Sequence, residues 1–474
     1  MALKGTTVIE LTNVKTGEVE RYEEHNLITK ALEYMHRPIG ALKSPTGVTN
    51  DGYEPVYPSL LGGLVLWDNT IEESDTIVTP PHGVNMVGCA SAYQVNTTTS
   101  PRRGSYNATE SYFTNSSTEK SMKFVFDFAT SQANGNIKCV SLTNWKSGWN
   151  GFGGNEDGND YQGSRNNYDQ YMGHDGSTSY WFEPSLTSPN GRTFLIDPDA
   201  DIFYQVASLT TSTLTITKRR ANIHQKSVFR SQYHVHDLVE SIPITLPSTL
   251  SGVNTYICNF EVKTNTLYVV VSPSSSSVAA SGTFYVITVN LSTYIATVHT
   301  MTNKLSSTLY VQSRYIVCSD GRLHYMYDSQ TYIRSFSLAD STYTSKYIGG
   351  WSFYECLCFM ANERIYFRVR KSINSNYYYA MAMFDPVANT YEILGDYYWP
   401  YRMDNYRYHP VPIKNNPLYF YYPYTYSTSN DGSGSSTAYL WLDCKYLATI
   451  NNLSRTIEKT SDKTMKITYT IQEM

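Results

Sequence analysis

Two glutamates, Glu261 and Glu355, stand among apolar neighbours in segments that read as strands, Tyr256–Val262 and Tyr354–Met360. Carboxylates on the inner strands of a funnel can serve as the acid and the base or nucleophile of glycoside hydrolysis. Most other acids of the second half sit beside Gly, Pro or Ser, as in Asp197-Pro198-Asp199, Ser319-Asp320-Gly321 and Asp385-Pro386. There the carboxylate shapes a turn through its own backbone hydrogen bonds. His234-Val235-His236 places two imidazoles on one face of an extended segment, a conceivable pair of metal ligands, although in a polar loop it reads first as surface. Asn155-Glu156-Asp157-Gly158-Asn159-Asp160 is rich in oxygen, yet it lacks the spacing and terminal bidentate Glu of a calcium loop and reads as a solvated turn. No GxSxG, GxxxxGK[ST], HExxH or helix-opening GxGxxG occurs, so no strong catalytic motif is present. The expectation is a chain with no catalytic residues, no metal and no cofactor.

Aromatic residues are the stronger signal. The 43 tyrosines outnumber the 37 lysines and arginines. They crowd into Asn376–Tyr379, Tyr397-Tyr398-Trp399-Pro400-Tyr401 and Tyr419–Tyr426. Tyrosine has a rigid apolar body with a polar tip and loses little rotamer freedom, which suits binding surfaces. Alternating members such as Tyr377 and Tyr379 read as sheet filling. Pro423 reads as a strand break that sends some rings out of the sheet. The candidates for contact with a glycan or protein are therefore Tyr397, Tyr398, Trp399, Tyr401, Tyr421, Tyr422, Tyr424 and Tyr426.

These residues belong to a repeat. A polar residue, a large aliphatic and then aromatics recur at Asp201-Ile202-Phe203-Tyr204, Thr266-Leu267-Tyr268-Val269, Arg322-Leu323-His324-Tyr325, Arg364-Ile365-Tyr366-Phe367 and Pro417-Leu418-Tyr419-Phe420. The copies are about 40–65 residues apart, near the roughly 50 of a kelch-type blade. Each is preceded and followed by another strand-like segment, and three copies add a turn ending in Tyr294, Tyr343 or Tyr391. The pattern predicts a β-propeller over residues 193–448 with five blades, and a sixth if residues 221–255 hide a degenerate one.

The flanks differ. Thr6–Leu11 and Glu18–Tyr22 read as a hairpin turned at Gly17. Asn26 is placed to cap a short helix over Leu27–His36, with Leu27, Ala31 and Tyr34 on one face. Met122–Phe128 alternates as a half-buried strand, and Asn134-Gly135 signals the next hairpin. Residues 1–145 are thus a β-rich domain with one short helix, and 146–192 a Gly/Asn-rich connecting loop. Residues 449–474 form a C-terminal hairpin whose Met465, Ile467, Tyr469 and Ile471 share one face and are candidates for assembly through an edge. The fold class is mostly β: an N-terminal β-rich domain, a propeller and a closing hairpin.

Charged residues are only 16% of the chain and the net charge is −4, which gives no long-range pull on nucleic acid. No apolar run approaches the roughly 20 residues of a membrane span, and the N-terminus lacks the apolar core of a secretory signal. Seven scattered cysteines, Cys89, Cys139, Cys258, Cys318, Cys356, Cys358 and Cys444, read as reduced, buried thiols of a protein made in a cytoplasm.

The ends of the chain carry a resemblance. Thr6–Leu11 with Thr16-Gly17-Glu18 and His25-Asn26-Leu27-Ile28-Thr29, Arg103-Gly104-Ser105-Tyr106-Asn107, Lys123–Phe128 with Ser131–Gly135, and Asn451-Asn452-Leu453 with Lys459-Thr460 and Thr464–Tyr469 are similar to structural proteins of tailed bacteriophages. The similarity spans roughly the first 145 and last 25 residues. It implies a virion component of the tail, baseplate or fibre apparatus, assembled in host cytoplasm, with the ends anchoring it and the propeller facing outward. The implied partners are other virion proteins, a host-surface glycan or protein, and further copies of the chain. It carries over no catalytic residue.

Overall fold

The computed structural model describes residues 3–31, 61–92, 101–115, 120–143, 192–197, 199–200, 202–220, 238–312, 315–327, 329–353, 358–361, 363–373, 376–396, 411–427, 434–442 and 446–473. Two β units emerge. The first contains β1 (Leu3–Asn13), β2 (Val19–Ile28), β3 (Gly63–Trp67), β4 (Met86–Ser91), β5 (Ser105–Tyr106), β6 (Tyr112–Asn115), β7 (Lys120–Phe128) and β8 (Gly135–Thr143). Gly17, at φ 72°, turns the β1–β2 hairpin, while Asn13 Oδ1 accepts from the amides of Lys15 and Thr16 at 2.9 and 3.1 Å.

The second unit is the propeller. Its first blade is β9 (Arg192–Asp197), β10 (Ile202–Leu209), β11 (Thr213–Arg220) and β12 (Leu238–Thr245). The second is β13 (Thr255–Glu261), β14 (Thr266–Ser272), β16 (Thr283–Asn290) and β17 (Ile295–Thr302), with β15 (Ser277–Val278) pairing β18 (Leu309–Tyr310) beside it. The third is β19 (Ile316–Ser319), β20 (Arg322–Tyr325), β21 (Tyr332–Ser337) and β22 (Tyr343–Tyr347). In the fourth, β23 (Ser352–Phe353) and β24 (Phe359–Ala361) both pair β25 (Arg364–Ile373), followed by β26 (Asn376–Asp385) and β27 (Thr390–Asp396). The fifth is β28 (Val411–Ile413), β29 (Asn416–Ser427) and β30 (Gly434–Leu442). Residues 238–245, inside the stretch that left room for a sixth blade, are instead the outer strand of blade one.

β14 explains why blades stack. It is buried on both sides, unlike a sheet with one wet face. Leu267, Val269 and Val271 pack toward Phe194, Tyr204 and Val206 of blade one, and Tyr268 and Val270 toward Ile316, Leu323 and Phe336 of blade three. Each fully buried side chain of this kind contributes on the order of 1.5–3 kcal/mol. Blade five closes on blade one through the parallel bridge Ile413↔Ile196.

Two strands remain, β31 (Thr449–Lys459) and β32 (Lys463–Glu473), and they correct the expectation of an edge hairpin. The ten-stranded sheet runs β4-β3-β8-β31-β2-β1-β32-β7-β5, with β6 on β7. β32 therefore lies between β1 and β7, not on an edge. Met465, Ile467, Tyr469 and Ile471 are no more than 3% exposed and pack with Ile9, Leu11, Phe126 and Phe128, because the face opposite Lys466 and Thr468 meets this chain's own core. The bridge Cys89↔Arg103 brings β4 to the segment entering β5, so the sheet is nearly closed into a barrel. The propeller is thus inserted between two barrel strands, β8 and β31.

The helix assignment is corrected at its start. Leu27 and Ile28 are strand residues opposite Ile450 and Thr449, and Asn26 pairs with Gly5 instead of capping. Asn26 Oδ1 accepts from the Thr7 hydroxyl at 3.0 Å. The local cap signal lost to pairing with a strand more than 400 residues away in sequence. Residues 32–36 lie outside the described residues. In β7, Val125 is buried like Phe126 and Phe128, although it alternates to the other face from them. Among the described residues no helix is long and apolar enough to cross a membrane.

Candidate functional site

Up-and-down strand order sends the first-to-second and third-to-fourth turns of every blade to one face of the propeller. The second-to-third turns and the links between blades go to the other. The hydrogen bonds follow this division. On the first face, Leu291 N–H donates to Asn265 O and Leu338 N–H to Gly321 O, both at about 2.9–3.0 Å. On the second, Leu250 N–H donates to Thr211 O, and Phe353 N–H to Gln330 O.

The first face is charged and internally tied. Glu261, 2% exposed, accepts from Thr264 Oγ1 at 2.6 Å and Tyr268 Oη at 2.9 Å through Oε2. Its Oε1 accepts from Asp320 N–H at 2.8 Å. Asp320 and Gly321 have φ of 47° and 66°. That left-handed pair aims successive amides at the Glu261 carboxylate and the Tyr268 hydroxyl, the second at 3.3 Å. Burial, then the neighbouring Glu261 charge, pushes the Tyr268 phenol up, so it stays a donor. Glu261 thus clamps blade two to blade three, and its carboxylate is occupied by these bonds. Asn259 does the same nearby, accepting from Cys318 N–H at 3.2 Å and donating to Cys318 O at 2.8 Å. Glu355 lies outside the described residues.

The barrel docks on this face at blade four. His82, from the loop between β3 and β4, reaches Glu363 Oε2 with Nε2 at 3.0 Å, while Nδ1 stands 2.7 Å from Asp385 Oδ1 as an ion contact, not an aligned hydrogen bond. Arg364 donates to Pro81 O at 2.8 Å and lies 3.9 Å from Asp385. Lys263 adds a contact to Glu363 at 3.2 Å. Asp385, and then Glu363, hold His82 protonated and raise its pKa to about 9. His82 in turn lowers Glu363; Asp385 also falls, although its burial works against ionisation. This is a histidine between two carboxylates, but Arg364 and Lys263 complete it as a salt-bridge strap between barrel and propeller.

The second face is unlike the first. Its described connections include Thr210–Ser212, Leu246–Asn254, Pro273–Gly282, Asn303–Gln312, Ser329–Thr331 and Ile348–Trp351, and among them Lys304 is the one charged residue. Arg314 and Asp328 lie outside the described residues. Serine, threonine and asparagine bond the loops to one another: Asn303 Nδ2 donates to Val278 O, Ala279 O and Ser307 O within 3.0 Å. Tyrosines gather here too. Tyr310 and Tyr327 stack at 5.0 Å and 9°, Tyr315 meets Tyr327 edge-on at 4.9 Å, and Tyr332 and Tyr347 pair at 5.3 Å.

The tyrosines singled out in the sequence fall elsewhere. Tyr397, Tyr398, Trp399 and Tyr401 lie outside the described residues, as do His234, His236 and the Asn155–Asp160 run. Tyr421, Tyr422, Tyr424 and Tyr426 are in the β29 ladder, opposite Leu440, Tyr439, Thr437 and Ser435, which corrects their assignment to a loop. Pro423 pairs with Ala438 without breaking β29. On the other side of β29 the described pairing with β28 ends at Tyr421, before Pro423, so no described ladder bond is lost to the missing N–H. The tyrosines of blade three were overlooked because they are spread between Tyr310 and Tyr347 in single steps. Their signal was position at strand ends, not density.

The five described cysteines, Cys89, Cys139, Cys258, Cys318 and Cys358, are buried. Burial pushes the Cys139 thiol up to about 11 and raises the Cys318 and Cys358 thiols well above the ordinary thiol range, so none of these three is a nucleophile.

No family model and no curated protein matches this chain. Among solved structures, it is similar to TolB from Acinetobacter baumannii, with 12% identity over 56% of this chain and a TM-score of 0.26. It spans about half, 55%, of that protein's length. It is also similar to the Bacteroides ovatus xyloglucan PUL protein GH43B, with 12% identity over 58% of this chain and 55% of that one, TM-score 0.27. An α-L-arabinofuranosidase from Podospora anserina aligns at 9% identity over 59% of this chain and 93% of its own, TM-score 0.25. Scores this low carry no argument, and the propeller is read from the sheet order itself. In that order blades two, three and four are separate sheets, and blades one and five are joined as one seven-stranded sheet between β9 and β28.

Proposed function

We propose that this chain is a non-enzymatic structural component of the tail, baseplate or fibre apparatus of a tailed phage, serving in host attachment. The observation that carries the reading is the insertion. Both described ends of the chain, β1 and β32, are neighbours in the barrel, the propeller leaves and re-enters that barrel, and it docks there by its charged face. Such an arrangement presents the opposite face outward from a single platform. The segments that resemble phage structural proteins fall in the barrel, consistent with an anchoring part, and the propeller does not share that resemblance. The engagement of the Glu261 carboxylate in a clamp between blades supports the non-enzymatic reading.

Gold-labelled antibody against the chain on intact particles tests the proposal. Label on the tail or its tip supports it, whereas label confined to the head or collar, or none on particles, overturns it. The purified chain is further expected to bind host cells and to compete with particles for them.

A further inference from the structure

Blade three presents an aromatic pair at the edge of the uncharged face. Tyr332 opens β21 and Tyr347 closes β22, directly opposite each other in the ladder. Both strand ends lie on the face away from the barrel. The rings stand 5.3 Å apart at 45°, forming a shallow V, and they are 40% and 50% exposed. A third exposed ring, Tyr343, lies two repeats of the pleat away along β22 and contacts Phe336 at 5.3 Å. Between the two pairs the register places Arg334 opposite Ser345, and Arg334 Nη2 donates to Gln330 Oε1 at 3.0 Å.

The site is held in place from behind. Ile348 N–H donates to Thr331 O at 3.0 Å, tying the residues next to each tyrosine. Gly349 and Gly350 follow at φ 64° and 81°. A Cβ on Gly349 would fall 2.3 Å from Tyr391 Oη, and one on Gly350 would lie 3.6 Å from Tyr347 Oη. Glycine at 349 therefore lets the loop pass close to Tyr391, and the positive φ at both positions makes the tight turn beside Tyr347.

We propose that the Tyr332–Tyr347 pair is a stacking site for the pyranose rings of an uncharged polysaccharide, with Gln330, Arg334 and Ser345 supplying hydrogen bonds to sugar hydroxyls. Exposed rigid rings offer apolar faces to the C–H face of a sugar at low entropic cost. A polyanion would want a cluster of cations, and this patch does not supply one. The described connections of this face hold one lysine, Lys346 alternates to the other side of β22 from Tyr347, and Arg334 alone stands on the rings' side of the ladder. A protein partner would need a larger apolar centre, but the residues between the rings along β22 are the exposed Thr344 and Ser345 and the half-buried Lys346. The inference rests on the attachment reading and names its ligand.

The full chain is run in affinity electrophoresis through gels containing dextran, mannan or galactan, and through gels containing alginate or dextran sulfate. Retardation by a neutral polymer is expected. It should fall by about tenfold in Tyr332→Ala and Tyr347→Ala, the size of one lost aromatic contact, and stay within about threefold in the Phe variants, which keep the ring. Melting of each variant separates lost binding from lost fold. Binding only to the anionic polymers, to none of the polymers, or undiminished in folded alanine variants overturns the inference. If particles carry the chain on their tails and it binds cells while none of the neutral polymers binds, the glycan site fails and the attachment reading stands. Absence of the chain from particles defeats the attachment reading whatever the gels show.

Discussion

The two faces of the propeller are made by the same strands, yet they are built from different chemistry. On the barrel side, Glu261, Lys263, Asp320, Glu363, Arg364, Asp385 and Lys414 stand in turns, and most of them are paired across blades or to the barrel. On the far side, hydroxyl and amide groups bond loop to loop, and aromatic rings take the exposed positions. A buried charge must be matched or it costs several kcal/mol, so the charged face has to be satisfied inside the molecule and cannot also serve a changing partner. The far face spends its polar groups on short local bonds and keeps its rings exposed. The difference teaches where to look for binding: not at the residues with the most reactive chemistry, but at the face that the structure leaves unspent.

The largest effect is expected at Glu261. Replacing it with alanine strands the Asp320 amide and the Tyr268 hydroxyl in a buried site and should cost about 3 kcal/mol in denaturant unfolding. Glu261→Gln, which keeps one acceptor, should cost about half as much. Loss of polysaccharide cleavage with stability unchanged would instead make this face catalytic and dissolve the contrast.

His82→Ala should loosen the barrel from blade four and cost about 1–2 kcal/mol after allowance for the exposure of Glu363. Hydrogen exchange would show it as faster exchange at residues 385–388 and in the loop around His82. The pH dependence sharpens the test. His82 titrates at about 9 when folded against 6.5 ordinarily, so its contribution is complete below about pH 6.5 and lost as the pH rises through about 9. Glu363 and Asp385 are lowered, so theirs is present above the ordinary carboxylate range and lost as the pH falls. Docking should therefore be tightest between about pH 5 and 6.5, and the alkaline limb should vanish in the alanine variant.

Lys414→Ala removes the 2.5 Å partner of Asp197, whose side chain is 4% exposed, at the closure between blades five and one. A cost of about 1 kcal/mol is expected, with a lower melting midpoint that glucose-free high salt does not mimic in full because Asp197 is buried. The smallest effects belong to the far face. Thr249→Ala and Tyr347→Phe should each change stability by less than about 0.5 kcal/mol, and a larger loss would mean that this face is structural too.

Much of the propeller was legible before any coordinate. The aliphatic-aromatic motif at Ile202, Leu267, Leu323, Ile365 and Leu418 marks the second strand of all five blades; in β10, β14, β20 and β25 that strand is buried on both faces and admits little else. The site was not legible. Glu261 looked like a channel acid, since apolar neighbours are equally the mark of a buried clamp. The tyrosine runs at 421–426 stood out by density, but ladder positions and edge positions have the same composition. Asn26 and Leu27 carried a sound local helix signal that a distant strand overrode.

By itself the sequence determined the local grammar: strand periods, turns at Gly17 and Asn134-Gly135, and a blade repeat, all set by interactions within a few residues. Only the tertiary structure decided that the last two strands complete the first domain, that the propeller is an insertion within it, and that His82 meets Glu363 and Asp385. Those outcomes depend on contacts between segments hundreds of residues apart, which are selected by complementary burial and charge and leave no fixed spacing in the chain.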